Sequence, residues 1–166
     1  MFKTLIISTV FLILLIISVK SDEQNIISIR LKNGLINGRV ETSVDGKQLN
    51  VFRGIPYAEP PVGPLRFKRP LPLNGWQQPI DAFEFSNACM QTNAMHMLSP
   101  KMTYGEDCLY LNIWSPINDQ KSETLKPVMF WIHGGALQIG SSSETFYDGQ
   151  VIAAKGDVVV VSINYR

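Results

Sequence analysis

The chain has 166 residues, with 15 basic and 14 acidic side chains, a formal charge of +1 and 45% hydrophobic content. Setting aside Lys3 and Lys20, which flank an apolar leader, 13 basic residues face 14 acidic ones. That balance gives no electrostatic reason to expect nucleic acid as a partner, and the apolar content excludes a wholly disordered chain.

Residues 1–21 read as a secretory signal. Lys3 supplies the positive start, Thr4 to Val19 are rich in Leu and Ile, and Val19 and Ser21 are small residues suited to a cut after Ser21. As a helix this stretch would reach ~24 Å against a hydrocarbon core of ~30 Å, which favours cleavage over a membrane anchor. No later apolar run is long enough to span a bilayer, so residues 22–166 are expected to be secreted with no stable membrane span.

Export sets how Cys89 and Cys108 are read. In an oxidising compartment they would pair rather than bind metal, closing a loop worth ~3 kcal/mol of unfolded-state entropy; two free buried thiols are the alternative. They have no neighbouring His/Cys cluster, so neither a metal nor any other cofactor is expected.

From Ile26 to Arg53 the pattern is β. Asn33-Gly34 and Asp45-Gly46 are turn dipeptides. Between them Val40, Thr42 and Val44 alternate with Arg39, Glu41 and Ser43, and Leu49 and Val51 alternate with Gln48 and Asn50 further on. This predicts a hairpin region with one wet face at the edge of a larger sheet. Prolines 56, 60, 61, 64, 70 and 72 then exclude helix and central strand over residues 54–75. That stretch reads as a rigid loop with Tyr57, Leu65 and Phe67 turned inward. Met90, Met95, Met97 and Met102 lie in a segment read as a loop over the core, with a substrate wall as the alternative.

Strands are predicted at Leu109–Trp114 and Val128–Ile132, followed by a Gly/Ser-rich loop at 133–143. A short helix has Asp148 as its N-cap, Val151 to Ala154 as its body and Gly156 at C′. The apolar run Val158–Ile163 reads as a strand buried on both faces of a parallel sheet. Strand, loop, helix and strand form a βαβ unit, so the fold class is α/β. Because the sequence stops just after this run, the chain is expected to be incomplete. On its own it would expose Val158–Ile163 as an aggregation-prone edge.

The segment His133-Gly-Gly-Ala136 follows a strand directly. Glycines there free the backbone to turn successive N–H groups toward an anion, or toward the oxyanion formed when a nucleophile attacks an ester carbonyl; a simple tight turn is the plainer reading. A phosphate loop would need a Gly-Lys-Ser/Thr, and Gly140-Ser-Ser-Ser143 has no lysine; G-x-G-x-x-G is absent too.

Several segments in order carry a family likeness: Phe52-Arg-Gly-Ile-Pro-Tyr-Ala-Glu-Pro-Pro-Val-Gly63 with Leu65-Arg-Phe67, Glu106-Asp-Cys-Leu-Tyr-Leu-Asn-Ile-Trp-Ser-Pro116, the His133-Gly-Gly loop, and Tyr147-Asp-Gly149 leading to Asp157–Arg166. The chain thereby resembles, over about residues 27–166, the N-terminal part of a type B carboxylesterase, the cholinesterase-like branch of the α/β-hydrolases. The resemblance implies an antiparallel hairpin region leading into a mostly parallel central sheet. It makes Gly134, Gly135 and Ala136 the oxyanion loop, with the N–H groups of Gly135 and Ala136 facing the carbonyl oxygen. It further implies a Cys89–Cys108 disulfide, a buried structural ion pair between Arg66 and Glu106, and a structural role for Arg166. A small-molecule carboxylic ester is the implied substrate. No tryptophan stands near Leu98, where cation-binding members carry one, which argues against choline esters.

In this family a serine on a G-x-S-x-G elbow, an acid and a histidine follow the oxyanion loop in that order. No G-x-S-x-G occurs here; Gly140-Ser-Ser-Ser-Glu144 ends in Glu and reads as a flexible loop. His96 has no obvious acidic orienter and His133 reads as structural. The expectation is therefore the N-terminal piece of a secreted serine esterase, inactive by itself. A non-catalytic adhesion or binding protein of the same branch is the alternative.

Overall fold

A computed structural model describes residues 25–92, 102–117 and 125–166. The two turn dipeptides close a three-stranded antiparallel unit. Strand β1 (Ile26–Leu31) returns through Lys32 and Asn33 into β2 (Gly34–Thr42), and β2 passes through residues 43–47 into β3 (Gln48–Pro56). The inward residues of β2 come earlier than the alternation suggests. Gly34, Ile36 and Gly38 are buried, whereas Thr42 is exposed and Val44 is 81% exposed. The strand ends at Thr42, so Val44 falls in the turn. Ser43 is the buried residue there, its hydroxyl hydrogen-bonded to Asp45 and accepting from Lys47 N–H at 3.1 Å. The Ser43 bond holds the Asp45 carboxyl below its usual range. The expected wet face is dry in part: Arg39 lies over the Phe83 ring at 4.7 Å and Arg53 over Phe85 at 5.2 Å.

The strand before the proline segment runs on to the first proline. Strand β3 runs to Pro56 between β2 and β7 (Tyr110–Pro116). Pairing with β2 ends at Val51, so Pro56 lies where β3 has β7 alone as its strand partner, past a register shift between Phe52 and Ile55. Inside that bulge Gly54, at φ +74°, gives its N–H to the Asn112 side chain at 2.9 Å. Beyond it the proline segment is ordered by a 3₁₀ turn at Gly63–Leu65 and a bridge between Ala58 and Pro72. Tyr57 turns inward and Leu65 is half-buried, but Phe67 is 87% exposed. Its φ of +59° carries it out to solvent, where the Arg66 guanidinium covers one ring face at 4.9 Å.

The main sheet runs β1-β2-β3-β7-β9-β8, with β8 (Val128–Ile132) and β9 (Val159–Ile163) at its far side. Strand β4 (Ile80–Asp81) adds to β2, and β5 (Ala88–Cys89) pairs separately with β6 (Tyr104–Gly105). Most pairings are antiparallel. β8 and β9 are parallel and flank helix α1 (Gln150–Gly156), which is the βαβ unit. Strand β9 is parallel to β8 but antiparallel to β7, not parallel on both sides. Nor is it an open edge, since β7 and β8 pair with it on either side; it is fully buried on one face only, with Val160 5% and Ser162 0% exposed while Val159, Val161 and Ile163 are half-buried. The apolar edge is β8 instead, whose five residues are 46–62% exposed.

Helix α1 is capped one residue away from expectation at each end. Asp148 Oδ1 accepts the Gln150 N–H at 2.8 Å while Gly149 occupies the N-cap position. At the other end Asp157, not Gly156, takes the left-handed conformation (φ +52°). Lys47 Nζ reaches across to donate to Ala154 O at 2.7 Å, a cation where the helix exposes its carbonyls.

Side chains cover both faces of the sheet away from β8. On one, Ala153 and Ala154 of α1 pack on Leu49, Val51, Trp114 and Val160; on the other, Ile36, Phe52, Ile55 and Ala82 form a second cluster with Trp76 at its edge. Trp114 is 0% exposed, and its indole N–H has no acceptor among the described residues. Replacing Trp114 by Ala is expected to cost about 3–5 kcal/mol of stability. Trp114→Phe should cost less than half of that, because no hydrogen bond is lost; urea denaturation of the two variants gives the comparison.

Candidate functional site

Parallel pairing of β8 with β9 aligns Ile132 with Ile163, so the residues that follow each strand leave the sheet at the same end. His133 is 5% exposed, and its ring stacks on Tyr165 with centroids 4.4 Å apart. The Tyr165 hydroxyl donates to His133 O at 2.8 Å, and His133 Nδ1 lies 2.9 Å from Gly134 O. This histidine is a bolt at the base of a loop.

Above it the chain makes a left-handed turn. Gly135, Ala136 and Leu137 have φ of +119°, +54° and +59°, and Gly135 O accepts from the N–H groups of Gln138 (3.0 Å) and Ile139 (3.1 Å). Left-handed backbone costs Ala and Leu roughly 1–2 kcal/mol each, so the surroundings must hold it. Glycine is required at 135, where a Cβ would sit 1.8 Å from Ile139 O, and at 140, where it would sit 2.5 Å from Gly134 O and from His133 Nδ1. At 134 it would meet nothing within 4 Å. The loop's own carbonyls do not consume the N–H groups of Gly134, Gly135 and Ala136, and no other acceptor among the described residues takes them.

The serine run after the turn is the reverse of a flexible loop. Ser141 and Ser142 are 0% and 2% exposed, and Asn164, 1% exposed, gathers them: its Oδ1 accepts from Ser142 N–H (2.8 Å), Ser142 Oγ (2.9 Å) and Ser141 Oγ (3.1 Å). Asn164 Nδ2 in turn donates to Asn87 O at 3.0 Å. Asn112 donates to Ser142 Oγ (3.2 Å) and Ser162 Oγ (3.1 Å), and Glu144 Oε1 accepts the Ser141 N–H at 3.0 Å. Buried polar groups are tolerable only when satisfied in this way. Gln91 closes the arrangement from the disulfide side, taking the Gly140 N–H at 2.7 Å and donating to Gly140 O at 2.8 Å. Sequence reasoning missed Gln91, Asn112 and Asn164. A polar Asn directly after the apolar run Val158–Ile163 was the available signal for the last.

Cys89 and Cys108 form a disulfide, with Cα atoms 5.0 Å apart. Arg66 Nε and Glu106 Oε1 are in contact, but the side chains are 57% and 37% exposed, so the pair is not buried. It lines an open cleft of about 870 Å³, and pairs exposed in this way contribute roughly 0–1 kcal/mol rather than the several of a buried one. The walls of that cleft take in His133 and Leu137 to Gly140 with the disulfide and Tyr165, but not Gly134, Gly135 or Ala136. Arg166 donates to Lys68 O. Met102 is buried and Met90 is 64% exposed on the cleft wall. Met95, His96, Met97, Leu98 and the leader 1–21 lie outside the described residues. Among the described residues no cluster of His, Cys, Asp and Glu could hold a metal, and no helix is long and apolar enough to cross a membrane.

A sequence model described as the carboxylesterase family matches residues 24–166. The chain belongs to that family. Among curated proteins it is 41% identical over 155 residues to a cholinesterase of Mus musculus, covering 89% of this chain and 25% of that protein. It is 44% identical over 137 residues to the para-nitrobenzyl esterase of Bacillus subtilis strain 168 (80% and 26%), and 41% over 144 residues to the medium-chain fatty acyl-CoA hydrolase precursor of Anas platyrhynchos (80% and 25%). The chain thus spans about a quarter of the length of these carboxylesterase relatives. Its mixed sheet with few helices fits a portion of an α/β-hydrolase-type fold.

Two tyrosines behind the site have raised pKa values. Burial raises Tyr57, opposed by the Arg166 charge, and its hydroxyl donates to Asn164 O at 2.7 Å. Burial, then the hydrogen bond to Asp107 (3.0 Å) and that carboxylate's charge, push Tyr110 up to about 12 from 10.0. A tyrosine with a raised folded-state pKa keeps its proton longer than the unfolded chain does. Its contribution to stability is therefore complete below pH 10 and is lost as pH rises toward 12. Tyr110→Phe should flatten that alkaline loss in denaturation midpoints measured from pH 9 to 12, with the share due to Tyr57 remaining. Of the loop glycines, Gly135→Ala should lower stability by roughly 2 kcal/mol, while Gly134→Ala stays within about 0.5 kcal/mol, by the same measurement.

Proposed function

We propose that this chain supplies the oxyanion-stabilising part of a secreted carboxylic-ester hydrolase that works by serine acylation. What supports the reading is the set of three backbone N–H groups at Gly134, Gly135 and Ala136, which find no acceptor among the described residues, in a turn whose internal backbone–backbone bonds end on Gly135 O. In the complete enzyme a serine hydroxyl attacks the ester carbonyl and a histidine takes its proton. The carbonyl oxygen becomes an oxyanion held by the N–H groups of Gly135 and Ala136; the alcohol then leaves and water releases the acid. Donors fixed before the reaction need no reorganisation when the charge develops. Each such donor typically lowers the barrier by ~3 kcal/mol.

The serine, acid and histidine of this scheme are assigned to sequence beyond these 166 residues, since no Gly-x-Ser-x-Gly occurs within them. The 166-residue chain alone is therefore inactive. Secretion is part of the proposal and rests on the leader pattern of residues 1–21 together with the Cys89–Cys108 disulfide. Para-nitrophenyl acetate and butyrate assays test the scheme. The full-length protein should turn over and be labelled on one serine by an organophosphonate, and the 166-residue chain should do neither. Turnover by the short chain would overturn the assignment of the triad. A full-length protein with neither turnover nor label would instead be the binding-protein reading.

A further inference from the structure

We infer that Gln91 is a positioning residue for the 134–136 loop, acting through a two-point clamp on Gly140. This deepens the hydrolase reading and, for its catalytic arm, rests on it. Gly140 closes the left-handed turn: it is buried, its φ is +114°, and its Cα packs so closely on Gly134 O and His133 Nδ1 that no side chain fits. No other backbone group among the described residues satisfies its N–H or its C=O. Both are met by one carboxamide, Oε1 accepting the Gly140 N–H at 2.7 Å and Nε2 donating to Gly140 O at 2.8 Å. The same Nε2 donates to Cys89 O at 3.0 Å, two residues back along the chain. The clamp is thus anchored to the disulfide between Cys89 and Cys108.

The chemistry needed is narrow. The group at position 91 must accept from an N–H and donate to two carbonyls at once, which a neutral planar amide does and a carboxylate cannot. Gln91→Glu keeps the shape, retains the bond from the Gly140 N–H and sets a charged oxygen against two carbonyl oxygens. Gln91→Met keeps the length and removes every bond. With the far end of the turn released, the strained conformation at Ala136 and Leu137 loses a restraint, and the N–H groups at 135 and 136 lose their fixed direction. A displacement of about 1 Å at such donors costs on the order of 10²-fold in rate.

The test uses the full-length protein as wild type, Gln91→Glu and Gln91→Met, with exposed Gln78→Glu as a control for charge. Near-ultraviolet circular dichroism confirms that each folds. Amide hydrogen exchange followed by mass spectrometry on peptides covering Gln138 to Gly140 should be at least tenfold faster in both Gln91 variants and unchanged in Gln78→Glu. In ester hydrolysis the Gln91 variants should lose about 10²-fold in kcat with KM within threefold, since what is lost is orientation toward the transition state. Unchanged exchange at 138–140 in Gln91→Met overturns the clamp whatever the activity. Faster exchange with kcat unchanged overturns its positioning role. If the wild type itself hydrolyses no ester, the hydrolase reading fails and the exchange result alone decides the clamp.

Discussion

One buried side chain holds the site end of this protein together. The carboxamide of Asn164, 1% exposed, binds Ser141 and Ser142 on the loop side and Asn87 on the side of the disulfide segment, directly after β9 leaves the sheet. Inside a protein such bonds are electrostatically stronger than in water. Each group left without a partner costs about 1–3 kcal/mol, so the cluster is stable as a whole and poor in parts. That is a reason for the loop to adopt one conformation. Ser141 and Ser142 have no way to leave without stranding both their own backbone and the asparagine.

This network is what makes the strain at Ala136 and Leu137 sustainable. Two non-glycine residues in left-handed backbone favour relaxation of the turn, which its two bonds to Gly135 O and its fixed ends oppose. The ends here are His133, stacked on Tyr165 and bonded through its carbonyl, and Gly140, bonded to Gln91 and followed at once by the buried serines. Between them the turn satisfies its carbonyl at Gly135, and the N–H groups of Gly134 to Ala136 meet no acceptor among the described residues. A turn built this way draws its shape from the strands and the disulfide-linked segment as well as from its own glycines at 135 and 140.

Much of the framework was legible in the residues. The turn dipeptides at 33–34 and 45–46 gave the hairpins, the apolar run at 158–163 gave β9 to within one residue, and the Glu106–Pro116 segment carried the family likeness that the comparison with known carboxylesterases bears out. Two of the misreadings share one cause. The buried serines and the exposed Arg66–Glu106 pair each depend on what lies across from them. A distant asparagine and an open cleft rim are tertiary features, and local propensity holds no information about them.

By itself the sequence determined which segments extend, where they turn, and that a Gly-Gly loop follows a strand, because period and turn chemistry act between near neighbours. Only the tertiary structure decided that β9 would lie between one parallel and one antiparallel partner, bringing Asn164 beneath residues 141–142 and Tyr165 against His133. Only it decided that Gln91, 49 positions away in sequence, would meet both polar groups of Gly140. The physical reason is that burial makes every unpaired donor and acceptor costly, and partners for them are found across the fold, not along the chain.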